Sequence, residues 1–261
     1  MLVTRSLMLI VLTLIVSSAS AASARKSEKG FVTRAVTIEK TMYNYKVFVP
    51  EGWDEKKKWP VIMFLHGAGE RGSDNEAQTQ VGLGPAIRRQ QAVFPFVVVM
   101  PQCARDRWWP EPEMQAIALK ALDASMKEFN GDTSRVYLTG ISMGGYGTWA
   151  IALNNAGRFA AFAPVCGGIR LPPRLALALG IKEPVASDDP YRAVAKAIGK
   201  IPVWVFHGAA DPVIPVTESR KMVEAGTKRG AEPRSCRRSG APSNGRARFR
   251  CATASPAVRP G

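Results

Sequence analysis

Histidine is nearly absent: the 261 residues hold two, His66 and His207. Any chemistry that needs an imidazole base, or a histidine-rich metal centre, has only these positions to draw on. Cysteine is scarce as well. Cys103, Cys166, Cys236 and Cys251 match no zinc-ligand spacing. No metal and no organic cofactor is expected. Cys103 and Cys166 follow apolar strand-like runs and read as buried thiols. No internal repeat is present, which sets solenoid architectures aside. Acidic residues are missing from Pro233 to Gly261, where seven Arg stand (234, 237, 238, 246, 248, 250 and 259). That segment carries about half of the formal net charge of +15. The remainder is mildly basic, so no nucleic-acid partner is expected.

The N-terminus reads as an export signal. Arg5 supplies the positive start, Leu7 to Val16 is apolar apart from Thr13, and Ser17 to Ala24 is entirely Ser and Ala. The apolar run is shorter than the ~20 residues a membrane span requires. Residues 1–24 are therefore expected to be a signal peptide. A secreted or periplasmic protein with no stable membrane insertion would result. Residues 25–232 read as one domain. Residues 233–261 read as a basic, low-complexity, disordered tail with almost no large apolar side chains besides Phe249 and Val258. Arg, Ala, Pro, Ser and Gly are also what GC-rich DNA yields when translated in a wrong frame.

Strand-like and helix-like segments alternate between these limits, which predicts an α/β fold with a mostly parallel central sheet flanked by helices. Phe31–Glu39 and Tyr43–Pro50 read as an opening antiparallel pair. Pro60–Leu65 and Phe94–Met100 are continuous apolar runs, as buried parallel strands are. Met114, Ile117, Leu122, Met126 and Phe129 recur near helical spacing, and Asn130-Gly131 ends that helix. Further strands are expected at 135–139, 159–165 and 201–206, and helices at 143–153, 190–198 and 216–227.

Three segments carry reactive chemistry. Gly140-Ile-Ser-Met-Gly-Gly145 lies between a strand and a helix. A sharp strand-to-helix turn forces its serine into a strained conformation and leaves room only for glycine around it. Ser142 is the expected nucleophile, beside a helix N-terminus that favours negative charge. Leu65-His-Gly-Ala-Gly-Glu-Arg-Gly follows a buried strand. There the amide of Ala68 is expected to join that of Met143 as an oxyanion hole. Asp211 follows the strand Ile201–Phe206 and comes after the serine, in the chain order of a hydrolase triad. The aromatic pair Trp108-Trp109 either lines an acyl or sugar pocket or packs beneath a loop.

Four stretches taken together resemble secreted bacterial α/β-hydrolases of the esterase and predicted-peptidase type, relatives of the dienelactone-hydrolase and prolyl-oligopeptidase-like groups. They are Leu65–Asn75, Pro101–Cys103, Gly140–Trp149 and His207–Pro215. The resemblance implies a serine hydrolase of carboxylic esters, small or polymer-linked, that forms an acyl-enzyme on Ser142. A peptide substrate and a non-catalytic secreted binding protein remain alternatives. It also implies a histidine roughly thirty residues after the acid. None stands there. His66 and His207 both fall in His-Gly turns and read as structural, so impaired catalysis is expected. The last strand and helix are expected to be missing with the histidine, leaving the strand at 201–206 as an uncovered edge.

Overall fold

Two segments of alternating polarity open the sheet as a hairpin-like pair, β1 (Gly30–Ile38) and β2 (Thr41–Val49), matched in register from Gly30↔Val49 to Ile38↔Thr41. The runs of Val, Met and Phe that follow form β3 (Trp59–Leu65) and β4 (Val97–Pro101). Then come β5 (Gly131–Ile141), β6 (Ala161–Val165), β7 (Val203–Gly208) and β8 (Phe249–Ala254). The computed structural model describes residues 28–179, 183–227 and 249–254, so the expected signal peptide lies outside the described residues. Strand order across the sheet is β1-β2-β4-β3-β5-β6-β7-β8. The pairs β1–β2 and β2–β4 are antiparallel and all the rest are parallel. The mostly parallel sheet expected from the alternating pattern is present.

Among the described residues six helices connect the strands: α1 (Leu83–Arg89), α2 (Pro112–Glu128), α3 (Met143–Asn155), α4 (Pro173–Leu179), α5 (Pro190–Ile198) and α6 (Thr217–Thr227). The apolar stripe of α2 buries Met114, Ile117, Ala118, Ala121 and Leu122. With α3, α5 and α6 it covers one face of the sheet, over Val61, Met63, Leu65, Val136, Leu138, Val203 and Val205. A smaller core on the other face gathers Phe48, Phe64, Ile87, Val98 and Met100 beneath α1. On β7 Trp204 is half exposed and its ring lies 4.8 Å from that of Phe206. No helix among the described residues is long and apolar enough to cross a membrane.

One expectation is corrected. The low-complexity composition after Arg234 predicts no strand, yet Phe249–Ala254 pairs in parallel with all of β7, from Val203↔Phe249 to Gly208↔Ala254. An exposed strand edge offers a row of unpaired amides and carbonyls, and a short segment satisfies them whatever its own propensity. The strand at 203–208 is therefore not an open edge, and the sheet continues past residue 232. Residues 228–232 of the expected domain, and 233–248 and 255–261 of the expected tail, lie outside the described residues. The carboxyl ends of β3, β5, β6 and β7 emerge side by side, where open parallel sheets carry their working loops.

Candidate active site

Ser142 sits between β5 and α3 with φ 54° and ψ −115°, a left-handed backbone that a serine adopts only under constraint. The constraint is visible in the neighbouring glycines. A Cβ on Gly144 would lie 1.9 Å from the Leu65 carbonyl oxygen, and one on Gly140 would lie 2.3 Å from the Gly144 oxygen. A Cβ on Gly145 would lie 2.7 Å from Gly167 Cα. The turn is thus pressed against the ends of β3 and β6 at once, at separations only glycine permits. The Ser142 amide donates to the Val165 carbonyl at 2.9 Å, while the Ser142 carbonyl accepts from Gly145 at 2.8 Å and starts α3.

The same contacts bring the second segment to the serine. A methyl placed on Gly67 would stand 3.8 Å from Ser142 Cβ. Ala68 opens the 3-10 turn Ala68–Glu70, and Met143 opens α3. First-turn amides of a helix have no intrahelical acceptor. The loop that carries Ala68 thus meets the turn that carries Ser142 and Met143.

Asp211 lies in the loop after β7, partly exposed. Its Oδ1 accepts from the amides of Val213 at 2.9 Å and Ile214 at 3.0 Å, an Asx turn that fixes the carboxylate. Cys166, with φ 40°, stands at the end of β6. Burial pushes its thiol up, while the Ser142 backbone amide bears on it favourably and the Asp211 charge unfavourably. The thiol is thus protonated at neutral pH.

Both histidines have both ring nitrogens hydrogen-bonded within the protein. His66 is fully buried, donates from Nδ1 to the Gly67 carbonyl at 2.6 Å and accepts at Nε2 from the Cys103 amide at 2.9 Å. Burial lowers its pKa to about 4. His207 is held through Nε2 by the Ile214 carbonyl at 2.9 Å and through Nδ1 by Ser219 Oγ at 2.6 Å. Its Nε2 also lies 3.6 Å from Asp211 Oδ2. Both rings have both nitrogens engaged in holding loops together.

The aromatic pair packs rather than lining a pocket. Trp109 is fully buried, donates from Nε1 to the His66 carbonyl at 3.0 Å and meets the His66 ring edge-on at 5.1 Å. Trp108 is 5% exposed, its ring 5.9 Å from that of Tyr146. Of the two readings left open for these tryptophans, substrate binding is therefore corrected to packing.

One positioning group was not legible in the sequence. Glu218, in the first turn of α6, is buried and accepts at Oε2 from the amides of Ile169 at 3.1 Å and Arg170 at 2.9 Å. Tyr191 Oη donates to the same carboxylate at 2.7 Å, and Tyr146 Oη donates to the Arg170 carbonyl at 3.1 Å. The loop after β6, whose Gly167 touches the serine turn, is thereby tied to α5, α6 and α3. Only the Gly167-Gly168 pair after a strand hinted at so close an approach.

Comparison with known proteins gives the family and the fold. The Esterase family model matches residues 37–172. A bifunctional acetylxylan esterase/xylanase of Neocallimastix patriciarum is 50% identical over 93 residues, which is 36% of this chain and 11% of that protein. Poly(3-hydroxyalkanoate) depolymerase C of Paucimonas lemoignei is 28% identical over 195 residues, 63% of this chain and 44% of that one. The chain thus spans less than half the length of either relative. Among solved structures, a thermostable esterase superposes with a TM-score of 0.65 at 31% identity, over 85% of this chain and 54% of that one. The acylaminoacyl peptidase of Pyrococcus horikoshii shares the fold, with a TM-score of 0.60 at 18% identity over 88% of this chain and 38% of that one. The architecture is that of the α/β-hydrolases, and with a family match that takes in the hydrogen-bonded His66 loop, the serine turn and the Gly167 loop behind it, the chain belongs to the Esterase family.

Proposed function

We propose that this chain is the hydrolase domain of an exported carboxylic ester hydrolase, acting through an acyl-enzyme on Ser142. Residues 1–24 serve as its export signal. The observation that carries the reading is the left-handed Ser142, wedged by Gly140, Gly144 and Gly145 between the ends of β3 and β6. A backbone held at a cost of about 1–3 kcal/mol is expected where the strain serves the chemistry. In the proposed reaction Ser142 Oγ attacks the ester carbonyl carbon, and its proton passes to a base. The amides of Met143 and Ala68 take the oxyanion, and the alcohol leaves with a proton. Water then attacks the acyl-serine and releases the acid.

The weak step is the proton. In this reading Asp211 is the acid that would orient an imidazole, and with both histidines held in hydrogen bonds solvent serves as base. Triad enzymes stripped of one member keep only about 10³–10⁴-fold acceleration over water. Turnover of p-nitrophenyl acetate should accordingly be slow, dependent on Ser142, and raised by added imidazole occupying the space beside Asp211. Subtracting the rate of Ser142→Ala isolates the enzymatic part from free imidazole catalysis. Equal rates for the two proteins at every imidazole concentration would sink the nucleophile assignment.

A further inference from the structure

Glu70 places a carboxylate near Ser142 with no partner among the described residues. It ends the 3-10 turn Ala68–Glu70 and is half-buried. Its side chain makes no hydrogen bond or ion pair among the described residues. The adjacent guanidinium does not neutralise it by contact: Arg71 Nε donates to the Ala68 carbonyl at 3.0 Å and its Nη1 to the Arg107 carbonyl at 3.4 Å. The backbone is fixed, since the Glu70 carbonyl accepts from Gln102 Nε2 at 3.0 Å. A methyl placed on Gly67 would touch both groups, lying 3.0 Å from Glu70 Oε2 and 3.8 Å from Ser142 Cβ. The carboxylate and the serine thus both face the Cα of Gly67.

A bare anion there conflicts with the charge that develops on a carbonyl oxygen during attack. An ester that brings a hydroxyl near its carbonyl removes the conflict, because the hydroxyl donates to the carboxylate in a charge-assisted bond. A plain alkyl chain desolvates the carboxylate without replacing the lost water. An acyl chain ending in its own carboxylate adds repulsion between like charges. We infer that Glu70 is a specificity-determining residue selecting esters that carry a hydroxyl close to the scissile carbonyl, on the acyl or the alcohol side. This rests on Ser142 being the nucleophile.

The test follows adduct formation on Ser142 by mass spectrometry in the wild type, Glu70→Gln and Ser142→Ala. The acyl arm compares p-nitrophenyl 3-hydroxybutyrate, butyrate and hemisuccinate. The alcohol arm measures how butyryl-Ser142 partitions to glycerol against 1-propanol. The wild type should favour the hydroxylated partner in at least one arm by about tenfold and disfavour hemisuccinate by a similar factor. Glu70→Gln should bring these ratios towards one. Adducts on Ser142 whose ratios are the same in both proteins would overturn the role of Glu70 and leave the nucleophile standing. Failure to form any adduct on Ser142, or an equal adduct in Ser142→Ala, would remove the nucleophile and this inference together.

Discussion

At the scale of single residues, the candidate site is written in its glycines. Gly144 is the sharpest case. Alanine there would drive its β-carbon to 1.9 Å from the Leu65 oxygen and 2.8 Å from the His66 oxygen, both main-chain atoms that cannot step aside. Gly144→Ala should cost about 3 kcal/mol or more, as steric overpacking against backbone does, and urea denaturation will measure it. An unchanged midpoint would mean that the serine turn does not press on β3. The chemistry of the turn was legible because a strained conformation restricts its neighbours to one residue type. Glu70 and Cys166 were not legible in the same way. Their significance lies in what stands next to them across the sheet, and no local pattern encodes that. The tryptophans at 108 and 109 illustrate the same limit. An aromatic pair satisfies a pocket and a core equally well, and only the Trp109 bond to the His66 carbonyl decides between them.

At the scale of elements, periodic segments were recovered and aperiodic ones were not. The spacing of Met114, Ile117 and Leu122 announced α2, and the continuous apolar runs announced β3 and β4. The short helix α1 contains Gly84 and Pro85 within seven residues, too little periodic signal to register. Strand β8 borrows its order from the β7 edge and has little apolar character of its own. Between elements, the Glu218 carboxylate is the main tie, joining α6 to the loop after β6 and, through Tyr191, to α5. Removing it leaves two backbone amides and a phenol hydroxyl without their acceptor. Glu218→Ala is therefore expected to destabilise by about 2–4 kcal/mol in urea denaturation. A double-mutant cycle with Tyr191→Phe should show strong coupling, since both changes break one network. Additive effects would mean that the tyrosine is held by something else.

At the scale of the whole molecule, the buried His66 makes global stability depend on pH. Burial lowers its pKa from the ordinary 6.5 to about 4, so in that interval the unfolded chain binds a proton that the folded chain refuses. The contribution is complete above pH 6.5 and is lost progressively as the pH falls towards 4. Its full size is about 3 kcal/mol. Unfolding free energy should fall across this window, and the slope should flatten in His66→Gln. A slope unaltered by the substitution would assign the acid sensitivity to other groups. The locking of both histidines has one more consequence. The folded surface presents no imidazole at all, since His66 and His207 are the only two in the sequence and both are buried. An imidazole-seeking reagent or a nickel resin therefore meets nothing to bind until the chain opens. The native fold is chemically silent towards such probes, and the first signal they return comes from the loosened loops behind Ser142.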